Sequence, residues 1–165
     1  MVIDSTAIRS PAVRVGLMGF LVVAGYAVFG AVHVLVWNPL AAVPSATLAQ
    51  IHAEMDWANE SLATPLVMTW TVMGILLAAG VLAASLTRKI SAARATTLNL
   101  LLIVLGAPSL MFASFPAGMG IADTFGISGG DYAPWGGLLY VTSAVALVLL
   151  AIQMVRRRPK PAQAG

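Results

Sequence analysis

The stretch VRVGLMGFLVVAGYAVFGAVHVLVW, Val13 to Trp37, carries one charged residue, Arg14, and that lies at its edge. About 20 apolar residues in a helix cross the ~30 Å hydrocarbon core of a bilayer, so this run is long enough to span one. It also exceeds the apolar core of roughly 7–15 residues found in a secretory signal. Arg9 and Arg14 precede it as in a signal, and VPSA at Val43–Ala46 faintly resembles a cleavage site. The length nevertheless favours a retained span.

Outward from this run, three more of the same kind follow: Leu66–Leu86, Ala95–Phe115 and Trp135–Val155. None alternates polar and apolar residues as barrel strands do, and in lipid only helices and closed barrels satisfy every backbone group. The expected fold is all-α, a polytopic membrane protein of four transmembrane helices forming a single domain over residues 1–165. Composition agrees: 59% of the 165 residues are hydrophobic and 9% charged, against roughly 25% charged in soluble chains. Arg outnumbers Lys seven to two and Ala is abundant, which suits a bacterial chain encoded at high GC content. There is no Cys, so disulfides, thiolate metal sites and cysteine nucleophiles are excluded.

Charge then orients the spans. Arg9 and Arg14 precede the first, Arg88, Lys89 and Arg94 separate the second from the third, and Arg156, Arg157, Arg158 and Lys160 follow the fourth. Basic residues stay on the cytoplasmic side. Both termini, including the tail 156–165, are therefore expected in the cytoplasm of a plasma-membrane protein, with outer loops at 38–65 and 116–134. Glu54, Asp56, Glu60, Asp123 and Asp131 all fall outside, and Asp4 alone falls inside. The pI near 9.8 thus reflects topology, and no nucleic-acid partner is expected. The polybasic tail needs no role beyond stop-transfer charge.

In the first outer loop, Leu48, Ile51, Met55, Ala58 and Leu62 recur at helical spacing, and Thr47 and Gln50 have capping-box spacing. A short amphipathic helix is expected from Thr47 to Ala63. Its polar face lacks basic residues, so it should cap the protein's own spans rather than lie on lipid. Thr64 and Pro65 suit the N-cap and first position of the next helix. His52, Asp56 and Glu60 share one flank at i, i+4 and i+8; they form a weak candidate metal or cation site, with a solvated flank as the plainer explanation. Asn59-Glu60-Ser61 fits a glycosylation sequon, an accidental match in a bacterial chain. The second outer loop is Gly-rich and reads as an irregular surface segment, with a stretch dipping back into the helices as the alternative. Gly118-Met119-Gly120 is no nucleotide fingerprint, because no strand precedes it.

Within the first span, Gly16, Gly19, Val23, Tyr26, Gly30, His33 and Trp37 lie on one side, opposite Leu17, Leu21, Val28, Val32 and Leu35. Small and polar residues gather where helices meet, so the first stripe should face other helices of the chain or of another copy. Comparable stripes are Thr71, Gly74, Ala78 and Ser85; Ala95, Asn99, Gly106 and Ala113; and Gly136, Tyr140, Ser143, Ala144 and Ala151. Pro108 is expected to kink the third span.

Apart from Arg14 at the edge of the first span, His33 is the one His, Asp, Glu, Lys or Arg residue inside a span, which makes it the leading functional candidate. Tyr26, Tyr140 and Asn99 are the further intramembrane polar candidates. A hydrogen bond from His33 to Asn38, Tyr140 or a backbone carbonyl is its plainest role. Haem held by His33 and His52 is a remote alternative; no cofactor is expected.

No catalytic constellation is present, and no Asp or Glu lies within a span to serve a proton pump. The favoured expectation is a small membrane protein acting through helix–helix contacts. It would be an accessory or scaffolding subunit or a homo-oligomer, with lipid and other membrane subunits as partners. The alternative is a small-solute or ion transporter or channel, or a phage-type pore former, with a path near His33.

Overall fold

The computed structural model describes residues 10–156. Asp4, Arg9, Arg157, Arg158 and Lys160, which entered the charge pattern, lie outside the described residues. All regular structure among the described residues is helical. We number the helices α1 (Pro11–Ala42), α2 (Leu48–Trp57), α3 (Thr64–Leu86), α4 (Ala92–Phe125) and α5 (Gly136–Arg156). Four of them, α1, α3, α4 and α5, are long and apolar enough to cross a membrane.

Local chemistry sets where the helices start. The Ser10 hydroxyl accepts from the Val13 N–H at 3.2 Å, and Pro11 occupies the first turn, where its missing N–H costs nothing. Ser91 caps α4 through the Arg94 N–H at 3.3 Å. Thr47 and Gln50 form the reciprocal capping box on α2: the Thr47 N–H donates to Gln50 Oε1 at 2.8 Å, and the Gln50 N–H to Thr47 Oγ1 at 3.3 Å. The start of α3 departs from expectation. Its N-cap is Ala63, in the left-handed region at φ 49°, so Thr64 already belongs to the first turn with Pro65.

Three helices stop by one device. Asn59, Arg88 and Gly126 take left-handed backbone at φ 57°, 55° and 63°. The next N–H then reaches back to an orphan carbonyl: Glu60 to Met55 at 2.7 Å, Lys89 to Ala84 at 3.0 Å, Ile127 to Ala122 at 3.2 Å. Asn is the non-glycine residue best suited to that conformation. It ends α2 at Trp57, short of the expected Ala63.

The other correction runs the opposite way. α4 continues through Pro108 and Pro116 to Phe125, whereas the sequence placed its end at Phe115. A proline inside a helix forfeits a single backbone bond. Packing holds the turns beyond Pro116: Ala117, Gly120 and Ile121 are buried there, and Gly120 lies against Met55 of the short helix. The irregular connection is thus confined to residues 126–135, and no break in helical assignment marks Pro108.

α4 is the central element, packing against α1, α3 and α5; α1 and α3 also pack on each other, and α5 meets α1 only sparsely. α2 lies across one end of α4, where a side chain on Gly120 would meet the Ser61 carbonyl oxygen at 2.7 Å and Met55 Cε at 3.1 Å. Ile51, Met55 and Leu62 are wholly buried, while Trp57 is 86% exposed. Contacts between Gly16 and Ser85, and the 3.2 Å bond from Gln153 Nε2 to the Ala93 carbonyl, place Arg14, Arg88, Arg94 and Arg156 towards one end. The opposite, acidic end holds α2, Asp123 and Asp131.

Small residues let neighbouring helix backbones approach closely. The small-residue stripes do this within the chain. Gly16 receives Ser85, Gly19 receives the Asn99 amide, Gly30 receives the Trp70 ring and Gly106 receives the Tyr26 ring. Leu17, Leu21 and Val28 on the other side of α1 are exposed. On α5 the buried stripe is Gly136, Leu139, Ser143, Ala146 and Leu150, whereas Tyr140, Ala144 and Ala151 face outward. Of the expected α5 stripe, Gly136 and Ser143 are buried within the chain.

Candidate functional site

At the acidic end, α1 departs from α-geometry. Residues His33–Trp37 form a π-helical turn, in which the Asn38 N–H bonds to the carbonyl of His33. Residues five apart in an α-helix stand roughly 140° apart around the axis. The wider turn brings His33 and Asn38 round to a common side, and both line one cavity.

His33 is 5% exposed, and its Nε2 lies 3.0 Å from Oδ1 of Asp131. This corrects the expected partner: neither Asn38, Tyr140 nor a carbonyl holds the ring. Asn38 acts indirectly. Its Oδ1 accepts from the backbone N–H of Tyr132 at 2.7 Å and of Ala133 at 3.4 Å, fastening the 126–135 connection over the end of α1 and setting Asp131 beside the imidazole. Nε2 faces the carboxylate and can donate to it, and Nδ1 is buried without a partner among the described residues. The pair also needs Gly136. A Cβ there would overlap Asp131 Oδ2 and stand 2.8 Å from His33 Nε2.

The cavity beside this pair measures ≈ 180 Å³ and lies between α1, α4, α5 and the 126–135 connection. Asn38, Ser114, Phe115 and Tyr140 line it together with His33 and Asp131. Tyr140 therefore belongs to the same site as His33, but as a wall and not as its hydrogen-bond partner.

Tyr26 lies apart from that cavity. The Ser143 hydroxyl donates to the Ile103 carbonyl at 2.7 Å, so the Tyr26 hydroxyl, 3.1 Å away, donates to Ser143 Oγ. This chain of bonds ties α1, α5 and α4 together. Asn99 sits further towards the basic end. Its Nδ2 donates to the Ala95 carbonyl at 3.0 Å, and its Oδ1 is buried without a partner. It borders an open cleft of ≈ 530 Å³ between α1, α4 and α5, walled mainly by Met18, Val22, Leu100, Val145 and Leu149. His33, Tyr26 and Asn99 thus follow one another along a single interface, a relation that their separate places in the sequence conceal.

The flank of α2 does not assemble comparably. His52 and Asp56 are exposed on the helix, but the helix ends before Glu60, whose carboxylate turns towards Gly120 of α4. Among the described residues, no three His, Asp or Glu side chains come together to hold a metal. His52 does not line the His33 cavity, so the two histidines share no site that could ligate haem.

Asp131 is the residue of this site that sequence reasoning missed as a partner. The available signal was weak: an acid preceding the fourth apolar run, at the end where His33 also falls. Comparison with protein families, with curated proteins and with solved structures finds no match to this chain.

Proposed function

We propose that this chain is a multi-pass plasma-membrane protein with both termini in the cytoplasm, and that it admits a small polar solute or ion from outside along the α1/α4/α5 interface. One observation carries the reading. An outer cavity at His33 and Asp131, the Tyr26–Ser143 hydrogen bond and the cleft beside Asn99 follow one another along the same interface. Ionisable groups are costly within a membrane, and those that occur there commonly face a solute path or a water-filled cavity. The exclusive placement of bases on alternate segments supports the orientation, with the acidic end facing outward.

The test is flux of small cations and polar solutes into proteoliposomes. Uptake that falls at least about ten-fold in His33→Ala supports the proposal, and no uptake of any solute rejects it.

A second reading is an accessory subunit that docks a partner's transmembrane helix. The mainly apolar cleft between α1 and α5, with the unpaired Asn99 Oδ1 beside it, favours that reading. Crosslinking in native membranes from cysteines placed along α5 would capture such a neighbour. Self-association through the glycine stripes loses its motivation, because those stripes are filled from within the chain.

A further inference from the structure

We infer that the cavity beside His33 and Asp131 binds a small organic ammonium ion, with its charge on Asp131 and its alkyl groups against Tyr140 and Phe115. The inference rests on the solute-entry reading above and names the class of ligand. Asp131 gives Oδ1 to His33; its Oδ2 has no partner among the described residues, and its side chain is 41% exposed. Among the described residues no Lys or Arg lies at this end, where Glu54, Asp56, Glu60 and Asp123 add negative potential. An anionic ligand would meet repulsion there, and a cation would be drawn in.

The size and lining of the space decide which kind of cation. A volume of ≈ 180 Å³ is room for roughly six waters at liquid density, far more than a bare metal ion fills. A metal would also require several oxygen or nitrogen ligands around it, and no three acidic or histidine side chains converge among the described residues. One carboxylate with two aromatic side chains in the wall suits an alkylammonium, which takes a single charge partner and is attracted by aromatic rings. His33 acts as a positioning residue, since it holds the carboxylate at the cavity wall, and the missing side chain of Gly136 leaves the carboxylate room.

The test is isothermal titration calorimetry on the full chain in nanodiscs, with choline and propylammonium as probes. The uncharged carbon analogue of choline, and acetate, serve as controls. Saturable binding of either ammonium, with the uncharged analogue and acetate at least about ten-fold weaker, supports the inference. Asp131→Asn should weaken that binding about ten-fold or more. Tyr140→Ala, at a position 46% exposed, should weaken it about three-fold. Binding of neither ammonium overturns the inference, as does equal binding of the uncharged analogue, or ammonium binding untouched in both variants. Ammonium binding without flux would remove the transport reading and leave this site standing. Flux of other solutes without ammonium binding would do the reverse.

Discussion

The carboxylate of Asp131 occupies the space that a side chain on Gly136 would fill, and from there it reaches His33 across the end of α1. The pair therefore depends on an absent methyl group. Gly136→Ala should dislodge Asp131, leave the buried imidazole unpaired and cost about 1–3 kcal/mol. Thermal melting of the purified protein in detergent should register the loss, and cavity-directed ligand binding should fall with it.

Asn38 fastens the 126–135 connection through two backbone N–H groups. Asn38→Ala should release that segment while α1, α3, α4 and α5 stay folded. Hydrogen–deuterium exchange should then rise at Tyr132 and Ala133 and remain unchanged in the helices. A global rise would instead mean that Asn38 supports the whole fold.

The Tyr26 and Ser143 hydroxyls couple α1 to α5 at 3.1 Å. Hydrogen bonds between helices in membranes contribute about 0.6 kcal/mol on average and up to about 1.7. Tyr26→Phe and Ser143→Ala should each destabilise, and their double variant should cost less than the sum of the two. Unfolding free energies that add without coupling would show that the bond contributes nothing.

Asn99 buries an oxygen that nothing in the fold satisfies. An isosteric apolar replacement removes that penalty, so Asn99→Leu should melt at or above the wild-type temperature. If Asn99 serves the solute path, the same variant should lose flux, separating its function from its contribution to stability.

The four long helices were legible because hydropathy over about 20 residues is a bulk property that neighbouring elements scarcely alter. Their ends were less so. Pro116 carries a strong breaker signal, but α4 continues past it to residues that are buried, with Gly120 against Met55 of α2, and no local pattern records that contact. On α1 the Gly–Tyr–His stripe identified the packed face because its opposite side is uniformly large and aliphatic. On α5, Leu139 and Leu150 are buried while Ala144 and Ala151 are not, so small size alone does not identify the face packed within the chain. His33 stood out as the lone ionisable group in a span. Its partner did not, because Asp131 is positioned by the π-helical turn, Asn38 and Gly136 acting together, and each of these is ordinary in isolation.

The orientation of the acidic end decides whether solute can reach the His33–Asp131 cavity from outside. The chain has no cysteine, so Ala53→Cys on α2 and Thr87→Cys after α3 each provide a single reporter thiol. In intact cells, a membrane-impermeant maleimide should label Ala53→Cys and spare Thr87→Cys until the membrane is permeabilised. Labelling of Thr87→Cys with protection of Ala53→Cys would turn the cavity towards the cytoplasm and contradict the account.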